Sequence, residues 1–165
     1  FVDFECPFCA RYAQTLERVA SEYEGDVRFV THHLPLTRIH RFAQMSAVAY
    51  ECAVEQGVAE SMAEALYEGQ DSIGLKAWSA FAAEAGAADP RALERCVENT
   101  TSTERIDFGV EFAEKAGFHS TPTVILNCWK FPRTPTGPEL RSALQAVLRG
   151  SDLFEGDTIS VQMDL

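Results

Sequence analysis

Two cysteines separated by two residues are the part of this chain best suited to chemistry. Cys6 and Cys9 lie where the apolar end of a short strand runs directly into an amphipathic helix. The N-terminus of a helix carries a partial positive charge and free N–H groups, which favour a thiolate over a thiol. We therefore expect Cys6 to be an exposed nucleophile and Cys9 to be its resolving partner. Pro7 suits the first helical position, where its missing N–H costs nothing.

Two other interpretations of the cysteine pair stay open. The pair could be half of a zinc site, or both cysteines could be small buried residues of the core. A structural zinc site takes a second pair of Cys or His ligands at short spacing, and the sequence has no second Cys-x-x-Cys. The motif therefore favours redox chemistry over metal binding.

Length, charge and cysteine content limit the classes of protein to consider. The chain has 165 residues, 46% of them hydrophobic, which suits one large domain or a small fold with an insertion. A formal net charge of −11 argues against nucleic acid and anionic membrane surfaces as partners. No apolar run approaches the length of a membrane span. Five cysteines are too few for a disulfide scaffold in a chain of this length.

Apolar spacing predicts the elements that must position the two cysteines. A helix follows the motif and stops near Gly25, and residues 27–31 form a short strand. This strand should run parallel to the strand before the motif, because a helix connects the two. A later strand over residues 124–127 and a hairpin partner over residues 129–131 precede a closing helix that starts at Gly137. These elements form an α/β core.

A long helical stretch separates the two parts of this core. Residues 40–100 show helical spacing throughout, which is too much for a single crossover connection. We predict a core made of residues 1–36 and 101–150, interrupted by a helical subdomain of residues 37–100. Residues 151–165 form a tail in which apolar residues alternate as in an edge strand.

The cysteine motif and a later Thr-Pro together resemble the thioredoxin superfamily. The inserted helices narrow this resemblance to the DsbA-like branch, and the likeness extends over about residues 1–149. Four stretches carry it in the same order: residues 2–9, 33–36, 52–57 and 121–123. The chain is particularly similar to DsbA-like domains anchored at bacterial membranes or appended to sodium/proton antiporters. The resemblance implies a thioredoxin fold with an inserted all-helical subdomain.

The resemblance also assigns a role to the Thr-Pro sequence. It implies that Pro122 is cis and packs beside the redox pair, which leaves the Thr121 backbone free to pair with an extended substrate peptide. Two residues depart from the family pattern: Ser120 stands where glycine usually precedes Thr-Pro, and Cys128 stands where glycine usually follows Asn in a tight turn.

A thiol–disulfide oxidoreductase is the function that these residues favour. A substrate thiolate would attack the Cys6–Cys9 disulfide and form a mixed disulfide at Cys6, which a second substrate thiol would resolve. The direction depends on a reduction potential that Pro7 and Phe8 tune, so a reductase or isomerase is an alternative. Another alternative is a non-catalytic module. Such a module would bind a partner protein, or it would bind a metal ion through Cys6, Cys9 and His119. For the oxidoreductase we expect no cofactor, protein substrates with cysteine thiols, and a membrane thiol oxidase or reductase that recycles the pair.

Three further cysteines lie outside the motif. Cys52 and Cys96 are on apolar faces of predicted helices, where they are either two buried hydrophobic residues or a structural disulfide of the kind found in some relatives. Such a disulfide would support an oxidising compartment. Cys128, beside a tryptophan in a predicted turn, is interpreted as a bystander thiol.

Several polar residues lie near the motif or on the predicted helices. His119 lies three residues before Pro122, where it could stabilise a thiolate or remain a solvated loop residue. Asp3 and Glu5 are close enough in sequence to perturb Cys6. Glu51 is expected on a solvated helix face.

The resemblance also implies a compartment. The chain opens within a strand and without an initiator Met, so we expect any targeting segment or anchor to lie outside it. An extracytoplasmic bacterial location follows from the resemblance, either in the periplasm or on the outer face of a membrane.

Overall fold

The computed structural model describes residues 1–150, and helices make up most of their regular structure. The helices are α1 (Pro7–Glu22), α2 (Ala43–Glu55), α3 (Ala59–Glu68), a short 3₁₀ helix (Gln70–Ser72), α4 (Trp78–Glu84), α5 (Pro90–Asn99), α6 (Glu104–Lys115) and α7 (Gly137–Leu148). The strands β1 (Ile125–Leu126) and β2 (Trp129–Lys130) form an antiparallel hairpin. The edge strand predicted in residues 151–165 lies outside the described residues.

The N-terminal segment pairs with the chain that follows α1. Val2 and His33 form a parallel bridge, and the Leu34 N–H donates to the Val2 carbonyl at 2.8 Å. A parallel pairing with the segment before the motif is therefore present, but it lies at His33, and the prediction of a strand over residues 27–31 is wrong. In this register Thr31 lies opposite a position before Phe1, so residues 27–31 have no strand partner within residues 1–150.

The same N-terminal segment also contacts the predicted hairpin. The Phe1 nitrogen donates to the Thr123 carbonyl at 2.8 Å, and the Thr123 N–H donates back to the Phe1 carbonyl at 3.1 Å. The predicted hairpin is confirmed, with Ile125 opposite Lys130 and a turn in which Asn127 has a φ of 55°. Four extended segments thus lie side by side, in the order 32–34, 1–2, 123–126 and 129–131.

Helix α1 is held against α7 by an apolar contact and an ion pair. Val19 of α1 is fully buried with Leu140 and Leu144 of α7. At the edge of this contact the Arg141 guanidinium donates two hydrogen bonds of 2.6 Å to the Glu22 carboxylate. Because α1 carries the redox motif at its first turn, α7 fixes the direction in which that turn points.

Helices α2 to α5 pack against one another and share one apolar core. Phe4 extends this core to the segment before α1, and Ile106 extends it to α6. A disulfide joins Cys52 of α2 to Cys96 of α5, with 6.0 Å between their Cα atoms. The structural disulfide is confirmed; the division into a core and an inserted subdomain stays a prediction.

Helix α6 lies directly against the segment that pairs with Val2. A Cβ atom at Gly109 would come within 2.1 Å of the His33 carbonyl oxygen, so only glycine allows this approach. Glu51 of α2 is buried here, with an exposed fraction of 8%, and its carboxylate lies 2.7 Å from His33 Nε2 and 3.4 Å from Arg105 Nε. The prediction of a solvated Glu51 is wrong because this face of α2 packs on His33.

Candidate active site

Cys6 sits at the N-cap position of α1. Its carbonyl oxygen accepts hydrogen bonds from the Cys9 N–H at 3.0 Å and the Ala10 N–H at 3.2 Å. Its Sγ donates to the Thr121 carbonyl at 3.4 Å. Only 4% of Cys6 is exposed, so the expectation of an exposed nucleophile is wrong. The Thr121 carbonyl oxygen therefore lies directly against the buried thiol.

Cys9 lies one turn further into α1 and is more deeply buried. It is 2% exposed, and both it and Cys6 are free thiols in this structure. Burial raises the pKa of the Cys9 thiol to about 12, although a hydrogen bond from the Asp3 backbone acts in the opposite direction. At neutral pH Cys9 is therefore a protonated thiol.

The Thr121–Pro122 peptide bond is cis, as the resemblance implies. Two hydroxyls brace this loop: Thr134 donates to the Pro122 carbonyl at 3.0 Å, and Thr123 donates to the Ser120 carbonyl at 2.7 Å. Within residues 1–150 the Thr121 N–H donates no hydrogen bond, and the buried Thr121 hydroxyl has no partner. The loop thus presents an unsatisfied backbone donor beside the Cys6 thiol.

A groove of about 340 Å³ begins at this loop. Thr121 and Pro122 line it together with Phe8 of α1 and Lys130 of β2. The Phe8 ring is 62% exposed, and the Arg11 guanidinium lies 4.7 Å from its centre. The apolar Phe8 ring and the loop that contacts Cys6 therefore line the same groove.

Asp3 is a site residue whose role the sequence did not reveal. Its carboxylate is buried and lies 2.8 Å from three donors: the Glu5 N–H, the Leu36 N–H and His40 Nδ1. These bonds fix the turn that leads into Cys6. An acid in an apolar stretch just before the motif is the only sequence signal for this role.

Two residues from the helical part of the chain, Tyr67 and Gln70, lie next to the cysteine motif. The Gln70 side-chain amide donates to the Phe4 carbonyl at 2.6 Å and to the Cys6 carbonyl at 3.0 Å. Burial raises the pKa of the Tyr67 phenol well above its usual value, and the nearby Cys9 raises it further. Neither residue is recognisable from sequence, because each lies more than fifty positions from the motif.

The remaining predicted residues are not joined to the redox pair. His119 is exposed and makes no hydrogen bond or ion pair within residues 1–150, and Cys128 is an exposed free thiol. In that part of the chain, no three His, Cys, Asp or Glu side chains are arranged to hold a metal ion. The geometry therefore gives no support to a metal site at Cys6, Cys9 and His119.

None of the helices in the described part of the chain is both long and apolar enough to cross a membrane.

Comparison with known proteins places this chain in a family. A family model described as Thioredoxin matches residues 1–146. The Na(+)/H(+) antiporter NhaA 1 of Mycolicibacterium vanbaalenii is 33% identical over 127 residues, which are 76% of this chain and 20% of that protein. The Na(+)/H(+) antiporter NhaA 3 of Salinispora tropica is 32% identical over 148 residues, 90% of this chain and 22% of that protein. The chain thus spans about a fifth of the length of these curated relatives. From the extent of the family match, the chain belongs to the thioredoxin family.

Proposed function

We propose that this domain is a DsbA-like thiol–disulfide oxidoreductase in which helices α2 to α5 form an inserted subdomain. The observation that carries the proposal is the position of Cys6 Sγ. It lies at the start of α1, 3.4 Å from the carbonyl of Thr121, a residue that lines the groove. The mutual packing of α2 to α5 supports the inserted subdomain.

The exchange needs no group beyond the two cysteines and the substrate thiols. A substrate thiolate attacks Cys6 Sγ in the Cys6–Cys9 disulfide, and the S–S bond breaks with its electron pair on Cys9 Sγ, which takes up a proton. A second substrate thiolate then attacks the substrate sulfur of the mixed disulfide and releases Cys6 as a thiolate. The substrate is oxidised by two electrons, and the Cys6–Cys9 pair is reduced by two.

The oxidising direction is favoured by the surroundings of both sulfurs. Cys6 lies at the N-terminus of α1, where the partial positive charge of a helix is located, and burial keeps Cys9 protonated. Both features support a favourable reduced pair. A reductase would carry out the same exchange steps in reverse. An isomerase would use the same sulfur atoms and return to its starting redox state after each cycle. In the oxidising case a membrane thiol oxidase would reoxidise the pair.

An extracytoplasmic location is part of this proposal. The Cys52–Cys96 disulfide supports an oxidising compartment. Similarity to a part of sodium/proton antiporters supports a domain held at a bacterial membrane, facing outward.

Trapping of a mixed disulfide tests the proposed function. In a Cys128→Ser background, Cys9→Ser should accumulate a Cys6-linked adduct when the reduced protein meets an oxidised peptide, because the resolving thiol is gone. The matched variant Cys6→Ser should form no adduct at Cys9, which is buried and protonated. Mass spectrometry of the intact protein identifies the linked cysteine. An adduct at Cys9, or none at either position, contradicts the proposal.

A further inference from the structure

Within residues 1–150, the ionisable side chains that line the groove beside the two cysteines are all cationic. Lys130 and Arg133 line it, and none of the aspartates or glutamates among residues 1–150 does. This is unexpected for a chain with a formal net charge of −11. The groove is therefore a local exception to the charge of the molecule.

Only one of these two cations is available to a ligand. Arg133 is paired with Glu139, with hydrogen bonds of 3.0 and 2.5 Å to its two carboxylate oxygens. Lys130 makes no ion pair or hydrogen bond through its side chain within residues 1–150, and it is partly buried. A carboxylate that entered the groove would find the Lys130 ammonium unpaired.

The groove and the thiol share a wall. Thr121 lines the groove, and its carbonyl oxygen lies 3.4 Å from Cys6 Sγ. A peptide whose cysteine reacts at Cys6 must therefore place neighbouring residues in the groove. Phe8 supplies an apolar surface on one side, and Lys130 supplies a positive charge.

We propose that Lys130 is a specificity-determining residue that selects cysteine-containing peptides with an aspartate or glutamate within two positions of the cysteine. This inference rests on the proposed function, because it names the substrate class of the same site. Lys130 acts by pairing with the substrate carboxylate and takes no part in the exchange of sulfur bonds.

The negative charge of the whole molecule opposes this selection only at long range. Charges further than about 10 Å apart are largely screened at 0.1 M salt, whereas a direct pair in a partly buried groove is screened less. The preference should therefore be visible at physiological ionic strength.

Rates of disulfide exchange with matched peptides test the inference. The oxidised protein, in a Cys128→Ser background, is mixed with peptides that carry one Asp at position −2, −1, +1 or +2 from a single cysteine, or Asn at the same position. The ratio of the Asp rate to the Asn rate is compared between the parent protein and Lys130→Gln, so that intrinsic differences in peptide reactivity cancel. Lys115→Gln is the matched control, because this exposed lysine on α6 pairs with Glu111 away from the groove.

We expect Lys130→Gln to lower the Asp/Asn ratio by about two- to five-fold at one or more positions, with no change in Lys115→Gln. An equal ratio in the parent and in Lys130→Gln at every position overturns the inference.

A second measurement separates the inference from the proposed function. Peptides with serine in place of the cysteine cannot exchange, and their binding is followed by chemical-shift changes in NMR spectra. A preference for Asp over Asn that depends on Lys130, without any exchange by the cysteine peptides, supports the inference and contradicts the proposed function. Exchange together with binding that ignores Lys130 supports the function and overturns the inference.

Discussion

Cys6 and Cys9 lie one helical turn apart in very different surroundings. The Cys6 sulfur is at the N-terminus of α1 and contacts the Thr121 carbonyl, next to the groove. The Cys9 sulfur is enclosed, and burial raises the pKa of its thiol to about 12. This difference supports the proposal that Cys6 carries the mixed disulfide, and it predicts that any attack by Cys9 on that disulfide depends on pH.

The pH dependence of resolution follows from the raised pKa of Cys9. Below its pKa, the thiolate fraction of a thiol rises tenfold for each pH unit, so attack by Cys9 on a Cys6–peptide disulfide should accelerate continuously between pH 7 and pH 10. The mixed disulfide is prepared at pH 4 in a Cys128→Ser background, and peptide release is timed after a jump to each pH.

Resolution of the same adduct by added glutathione is the comparison for this experiment. Its rate should level off near pH 9, because an ordinary thiol has a pKa of about 8.5. A Cys9-dependent rate that levels off between pH 7 and pH 9 contradicts the raised pKa.

Sequence reasoning located the reacting atoms but misjudged their exposure. Residue type and spacing are enough to single out Cys6 and Cys9, because the motif and the helix that it starts are local. The Thr121–Pro122 pair was singled out only by the family resemblance. Burial of Cys6 depends on a carbonyl oxygen 115 positions away, which no local pattern records. The role of Asp3 could not be predicted for the same reason, because two of the groups that donate hydrogen bonds to its carboxylate belong to a distant loop.

At the scale of elements, one buried carboxylate joins three parts of the chain. Glu51 of α2 contacts His33 of the N-terminal pairing and Arg105 of α6. Helical spacing predicted α2 but placed Glu51 on its solvated side, because the periodicity of a helix does not show how many of its faces are covered. Residues 32–34, which include His33, cover a second face of α2.

Removal of this carboxylate should destabilise the fold. Glu51→Ala leaves the buried His33 ring without a hydrogen-bond partner within residues 1–150, so we expect the free energy of unfolding in urea to fall by about 2–3 kcal/mol. Glu55→Ala, one turn along the same helix and exposed, should change it by less than about 0.5 kcal/mol. Equal effects of the two substitutions would show that the buried contacts do not stabilise the fold.

At the scale of the whole molecule, the Cys52–Cys96 disulfide closes a loop across helices α2 to α5. The cysteines are 44 positions apart, and the entropy of closing such a loop in the unfolded chain corresponds to about 4 kcal/mol. The sequence placed both cysteines on apolar faces but could not predict their separation, which depends on the packing of α2 against α5.

Loss of this disulfide should lower stability without changing the redox site. We expect Cys52→Ala/Cys96→Ala to reduce the free energy of unfolding by about 4 kcal/mol, measured in urea with the Cys6–Cys9 pair oxidised in both proteins. Cys128→Ala, which removes an exposed free thiol, is the control and should have little effect. A loss of less than about 1 kcal/mol would mean that the disulfide constrains the unfolded chain far less than its loop length implies.

The reduction potential of the Cys6–Cys9 pair tests the central claim most directly. The pair is equilibrated with glutathione and dithiothreitol buffers in a Cys128→Ser background, and the Cys52–Cys96 disulfide is tracked separately by mass spectrometry. We expect a potential between about −120 and −180 mV, the range of disulfide donors. A value near about −270 mV, typical of a thioredoxin-like reductant, would contradict the oxidising role. A pair that equilibrates with neither buffer would contradict thiol–disulfide exchange altogether.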